Sequence, residues 1–192
     1  NISGYAGKFF FDKNRKIHIV PKLDVSIEEI TTMISGRLFF TGWIITDPQG
    51  TRYHFGATDG SMNMDNYIEK TISGDNSNPY LIPRAASWYM SKIESADRKD
   101  LITFSYAEES YSFWNISGSE IEQPPSSCPE LSINSTPYIT KVVGKRLATI
   151  SGSNGSIIFT GETGARLDLS SYNGASLNSE AKALKTIEIR SK

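Results

Sequence analysis

The chain has 192 residues, 38% of them hydrophobic and 21% charged, and a net charge of −1. That length supports a hydrophobic core in one domain or two small ones. The near-neutral balance, with no basic cluster denser than Lys13, Arg15 and Lys16, excludes the electrostatic footprint of a nucleic-acid binder.

The chain opens on Asn1 without a signal-peptide pattern. It is expected to be a piece of a longer polypeptide or a mature product, with any targeting signal outside it. In "FFFDKNRKIHIV" (9–20), Phe9 and Phe11 precede a turn around Asp12 to Arg15, and Ile17 and Ile19 follow it. This alternation predicts a hairpin. "SIEEITTMI" (26–34) offers Ser26 and Glu29 as a capping box, with Ile27, Ile30 and Ile34 at helical spacing. A short helix is expected there, and the β-branched Val25, Ile27, Ile30, Thr31 and Thr32 favour an extended rival.

"WIITDPQGTRYHFG" (43–56) has two alternating arms around Asp47-Pro48-Gln49-Gly50. Asp first, Pro second and Gly fourth suit a type I turn followed by a bulge, so a second hairpin is predicted. Residues 71–86 read as a long loop rich in Gly, Asn and Pro. "WYMSKIESADRKDLITFSY" (88–106) turns around Ala96 to Lys99, and Ile102, Phe104 and Tyr106 alternate after it. Residues 107–140 contain Pro124, Pro125, Pro129 and Pro137 among many serines, with Tyr111, Phe113 and Trp114 expected to pack back on a sheet. "LATISGSNGSIIF" (147–159) turns at Asn154-Gly155, a strong two-residue hairpin signal. A turn of helix is entertained near Ser179 to Ala183, and "LKTIEIRSK" closes the chain as a last strand. No run of apolar residues approaches the ~20 needed for a membrane-spanning helix, so no membrane insertion is expected within the segment.

These elements predict an all-β fold of antiparallel hairpins, as a β-sandwich or curved open sheet with little helix. The expected organisation is an N-terminal hairpin region (1–115), a Pro/Ser-rich connecting loop (116–140) and a C-terminal hairpin unit (141–192), packed as one domain.

Residues with catalytic potential are few. A single cysteine, Cys128, excludes an internal disulfide and any multi-cysteine metal site. No base is placed beside it in "QPPSSCPEL". His18 and His54 each follow a charged residue two positions earlier, Lys16 and Arg52, and both are expected to face outward. A role for either as a general base or metal ligand would need a partner that the sequence does not place. Glu108 and Glu109 read as a solvated rim. No nucleophile elbow, phosphate loop, dinucleotide fingerprint or zinc helix motif occurs, so no catalytic residue and no cofactor are assigned.

"DGSMNMD" (59–65) gathers Asp59, Asn63 and Asp65 as candidate calcium ligands, without the residue order of the EF-hand loop. Trp114 with Tyr111 is the candidate platform for stacking a sugar, whereas Trp43 and Trp88 are expected in the core. The sequons at Asn115, Asn134 and Asn154 mark exposed loops.

"GKFFFD" (7–12), "ITDPQGTRYHFG" (45–56), "SWYMSKIES" (87–95), "ITFSY" (102–106), "NGSIIF" (154–159) and "RLDL" (166–169) together resemble the all-β region that precedes the YD repeats in bacterial Rhs-like, cell-wall-associated proteins. The resemblance spans most of the chain, in hairpin phrases rather than a catalytic signature. It implies a secreted or surface-exposed parent whose strands wind into a shell, with carbohydrate binding or adhesion as further attributed roles. The chain departs from the pattern in having no tandem Tyr-Asp repeats, no cleavage motif and no toxin tail. Arg166 and Asp168 match an R-x-D phrase and are expected to form a cross-strand ion pair.

The expected function is a non-enzymatic structural or scaffold module of a larger secreted or cell-surface protein, partnered by the rest of its own longer chain. The alternative is a carbohydrate-binding or adhesion module. A glycan-active hydrolase is the third reading, and it requires His54 to hydrogen-bond an acid or two carboxylates to converge.

Overall fold

A computed structural model describes residues 7–34, 36–60, 62–74, 84–120, 133–170, 177–178 and 181–192. Every strand ladder in it is antiparallel. Among the described residues the only helical element is a single 3-10 turn, Met64–Asn66. None of their helices is long and apolar enough to cross a membrane. The all-β expectation is met.

Strands β1 (Lys8–Phe11) and β2 (Ile17–Val20) form a separate two-stranded ribbon, with Phe9 opposite Ile19 and Phe11 opposite Ile17. Asp12 closes its turn by accepting from the main-chain N–H of Asn14 at 2.8 Å and of Lys16 at 2.9 Å, the local Asx bonding that makes Asp a turn residue.

The segment expected as a short helix is strand β3 (Ser26–Ile34), paired with β4 (Arg37–Thr46) from Ser26↔Thr46 to Ile34↔Arg37. The isoleucines at helical spacing serve opposite faces, Ile27 beside Ile45 and Ile30 beside Gly42. Glu29 does not cap a helix; it reaches Arg15 at 2.8 Å. The extended preference of the β-branched residues won because a whole ladder was available to satisfy the backbone. A bulge at Thr41 then shifts β4 by one residue, so that Phe40 pairs with Thr31 while Gly42 pairs with Ile30. The shift brings Phe40 and Trp43, three residues apart, into a stack at 5.3 Å.

That stack is the centre of an aromatic core. Phe9 and Phe11 of the ribbon lie 5.0 and 6.1 Å from Trp43, and Trp88 meets Trp43 edge-on at 5.8 Å. Such offset and edge contacts add to the area that the rings bury. Arg15 covers Phe11 and Phe40 from outside at 5.8 and 5.9 Å.

β4 continues through the Asp47–Gly50 turn into β5 (Arg52–Gly56). Gly50 takes φ +86°, as the bulge after a type I turn requires, and its N–H donates to the Asp47 carbonyl at 3.0 Å. After the 3-10 turn come β6 (Ile68–Gly74), β7 (Arg84–Trp88), β8 (Met90–Glu94), β9 (Leu101–Glu120), β10 (Ile133–Gly152), β11 (Gly155–Gly161), β12 (Arg166–Ser170), β13 (Leu177–Asn178) and β14 (Leu184–Ser191).

One ten-stranded sheet runs β14-β11-β10-β9-β8-β5-β4-β3, with β6 bonded to both β10 and β7. Only Tyr89 separates β7 from β8. The path β8–β9–β10–β6–β7 therefore ends one residue from the strand on which it started, and the sheet closes on itself in the middle. Side chains tie this junction. The Tyr89 hydroxyl donates to Glu69 at 2.8 Å, and the Tyr106 hydroxyl to the Met90 carbonyl at 2.7 Å. The Tyr106 ring lies 5.2 Å from Tyr89 and 6.1 Å from Tyr67.

Three boundaries differ from expectation. Residues 71–74 and 84–86, read as loop, belong to β6 and β7, where the β6–β10 and β6–β7 ladders supply their bonds. Residues 116–120 and 133–140, read as connecting loop, belong to the 20-residue strands β9 and β10, and residues 121–132 lie outside the described set. Pro137 fits because β10 has only β9 beside it there among the described residues, with β6 joining from Ile139. The β10–β11 hairpin turns at Ser153-Asn154, one residue earlier than expected, because Gly155 already pairs with Gly152. The helical turn entertained at 179–183 is absent from its described part, 181–183.

Candidate functional site

A group of charged side chains lies where β5 meets β8. Register sets Arg52 opposite Glu94 and His54 opposite Lys92, and directly opposite residues share a sheet face. Arg52 Nη1 donates to Glu94 Oε2 at 3.2 Å, and its other terminal nitrogen stands 3.9 Å from Glu28 on β3. Lys92 Nζ lies 3.5 Å from Asp59.

His54 is buried, only 3% exposed, against the outward orientation expected from its neighbour Arg52. The cause is the chain that follows β5. Gly56 adopts φ +76°, and the N–H of Ala57 donates to the Thr41 carbonyl at 2.9 Å. This turns the backbone so that Thr58 Oγ1 meets His54 Nδ1 at 2.9 Å. Alternation along β5 puts Arg52 and His54 on one face, but it could not show that a later loop and the Arg52–Glu94 pair would cover that face.

Burial, with the charges of Lys92 and Arg52, pushes the His54 pKa down to about 4 against the opposing pull of Glu94. The imidazole is therefore neutral near pH 7. Its Nε2 lies 3.7 Å from Glu94 Oε2, beyond hydrogen-bond reach, and has no hydrogen-bond partner among the described residues. The hydrogen bond to an acid that the hydrolase reading required is not made. Arg52 holds that carboxylate instead.

A cavity of about 400 Å³ opens beside this group, lined by Ile30, Thr41, Ala57, Thr58, Asp59 and Met62 among others. Thr58 is its link to His54, which does not itself line the space.

The three candidate calcium ligands are each engaged by other protein groups. Asp59 faces Lys92, and the Asn63 side chain accepts from Asp65 N–H at 3.0 Å to cap the 3-10 turn. The Asp65 carboxylate bonds Lys70 Nζ. Among the described residues no three His, Cys, Asp or Glu side chains gather as a metal site.

Of the candidate sugar platform, Tyr111 stacks on Phe113 at 6.3 Å, with Phe113 40% exposed. Trp114 belongs to β9, but its side chain lies outside the described residues, as do Cys128 and the side chains of Asn115 and Asn134. Trp43 is buried as expected, and Trp88 is partly so, its Nε1–H donating to the Phe40 carbonyl at 3.2 Å. Asn154 is exposed in its turn. His18 remains partly exposed, 3.0 Å from Asp12 and stacked on Phe10.

Three polar groups depart from the sequence reading. Glu109 is no solvated rim: its side chain is 17% exposed, with Arg146 Nε at 3.2 Å, an ion pair whose angles fall short of a hydrogen bond. Glu108 does stay exposed. Arg166 and Asp168 do pair, at 2.5 and 2.7 Å, but along β12 rather than across strands. The bond holds the Asp168 carboxyl down at about 2. The Glu69–Tyr89 bond was not foreseen, since it depends on the β6–β7–β10 closure and joins residues 20 apart. Burial and that carboxylate raise the Tyr89 hydroxyl, and burial pushes Tyr106 up to about 12. Comparison with known proteins returns no matching family model, no similar curated protein and no similar solved structure.

Proposed function

We propose that this chain is a non-enzymatic structural module of a larger secreted or cell-surface protein of the Rhs/YD-repeat kind, whose neighbouring parts cover its surface. One observation carries the reading. Among the described residues thirteen large hydrophobic side chains are exposed, among them Met33 (63%), Leu38 (46%), Phe39 (40%) and Leu167 (86%), against seven buried hydrophobic residues. Scattered exposed apolar residues are ordinary, but Met33 and Leu38 face each other across β3 and β4 with Phe39 next to Leu38 in the strand, apolar surface of the kind that a larger assembly covers. The polar groups add support, since Arg52 is paired with Glu94, Lys92 with Asp59, and the neutral His54 is bonded through Nδ1 to Thr58.

The test is hydroxyl-radical footprinting of the isolated chain and of the full-length parent. Met33, Leu38 and Phe39 should be modified in the isolated chain and protected in the parent. Equal modification in both would remove the reading.

A carbohydrate-binding or adhesion role is the second reading, supported by the Tyr111–Phe113 stack on the long β9–β10 arm. It requires glycan-array binding that Tyr111→Ala abolishes.

A further inference from the structure

The last strand, β14, is exposed at all eight positions, with Leu184 at 54%, Ile187 at 56% and Ile189 at 78%. It bonds β11 on one side, from Gly155↔Ser191 to Gly161↔Leu184, and no described strand on the other. The strand has no proline, the one irregularity of its ladder lies at the Thr160/Gly161 end, and its charged residues are Lys185, Glu188 and Arg190.

The orientation of its backbone groups follows from two contacts. Lys192 N–H donates to the Asn154 carbonyl at 3.1 Å. The Arg190 carbonyl faces β11 so closely that a Cβ at Gly155 would stand 2.2 Å from it. Even-numbered residues therefore direct their main-chain groups at β11, and Ile187, Ile189 and Ser191 direct theirs at the open edge.

We propose that this edge pairs with β14 of a second copy, antiparallel, about a two-fold axis through Ile189. The charge pattern selects that centre. With the axis at Ile189, Ile189 faces itself, Ile187 faces Ser191, and Glu188 of each copy faces Arg190 of the other. With the axis at Glu188, two carboxylates lie directly opposite, a destabilising arrangement. With the axis at Ile187, Glu188 faces Thr186 and Arg190 faces Leu184, and no charges meet. Within one chain Glu188 and Arg190 already bond at 2.8 and 3.0 Å, 55% and 60% exposed, so both remain accessible to a second copy. Three outward-facing pairs, each exchanging two main-chain bonds, give about six new hydrogen bonds across the junction. The proposal stands on the edge itself and holds whether or not the chain serves as a scaffold module.

Sedimentation equilibrium on the 192-residue chain tests it, up to about 100 µM. The native chain should dimerise. Ile189→Pro removes an N–H that only the open edge uses, so it should leave a folded monomer by circular dichroism. Glu188→Arg and Arg190→Glu should each weaken dimerisation about tenfold, because each sets like charges opposite twice. A mixture of these two variants restores opposite charges at both contacts and should recover native affinity as a heterodimer. A monomeric native chain across the range would overturn the proposal. So would dimers indifferent to Ile189→Pro, or a mixture no tighter than its parts.

Discussion

Burial holds the His54 imidazole neutral down to a pH at which the unfolded chain has already taken up its proton, and that difference links stability to pH. The folded pKa is about 4 and the ordinary value 6.5, so the unfolded state binds the extra proton across that window. The contribution is full above about 6.5, drains as pH falls, and is gone below about 4, a total of about 3 kcal/mol. Urea unfolding at pH 7 and pH 4.5 should show the native chain losing stability over this range, and His54→Gln should flatten the slope. A second residue-scale constraint is Gly56, at φ +76°, where a Cβ would meet the Thr41 carbonyl at 2.3 Å. Gly56→Ala should cost about 2–3 kcal/mol through strain and displacement of the β4–β5 ladder. Gly60→Ala, with no atom of the described residues within 4 Å of the added Cβ, should be near neutral in the same denaturation assay. The polar cluster was only partly legible in the sequence. Arg52 and His54 could be placed on one strand face, but Lys92 and Glu94 come from forty residues along, and their pairing depends on a register that local pattern does not contain.

At the scale of elements, what a hairpin needs lies within a dozen residues, and there sequence and structure agree closely. Asp47 shows why. Its Oδ1 accepts from the N–H groups of Gln49 at 3.0 Å and Thr51 at 2.9 Å, while Tyr53 donates to Oδ2 at 3.3 Å. Asp47→Ala leaves those turn donors to water and should lower the unfolding free energy by about 1–2 kcal/mol, measured by urea titration. A smaller loss would mean that Pro48 and Gly50 hold the turn without it. The β3 segment was misread for a related reason. A capping box and a three-to-four spacing are weak local signals, and they gave way to β4, whose full ladder and bulge at Thr41 reward an extended partner. The extent of β9 and β10 was misjudged because serine and proline mark loops only where no neighbouring strand supplies bonds. Here each strand completes the other over 18 facing pairs.

For the whole molecule, the decisive feature is the closure through β6, which no local pattern announces. β6 bonds β10 along Lys70–Gly74 and β7 along Ile68–Thr71, so freeing it breaks two ladders at once. It also buries Ile68, 2% exposed, and anchors Tyr89 through Glu69. By contrast β3 and β14 each have one described neighbour, and the β1–β2 ribbon is held to the sheet by side-chain contacts such as Phe9–Trp43. Opening energies should follow this inequality, because a segment's protection from exchange reflects the bonds and burial lost when it opens. Native-state hydrogen exchange should therefore find the slowest amides in β6 and the facing stretches of β9 and β10 around Ser110–Phe113 and Thr140–Val143. Within the ten-stranded sheet β14 should exchange fastest in dilute solution, and should slow on raising the protein concentration as its edge is occupied by a second copy. Protection as high in β3 as in β6 would show that closure contributes nothing, and that the sheet is held by its aromatic core alone.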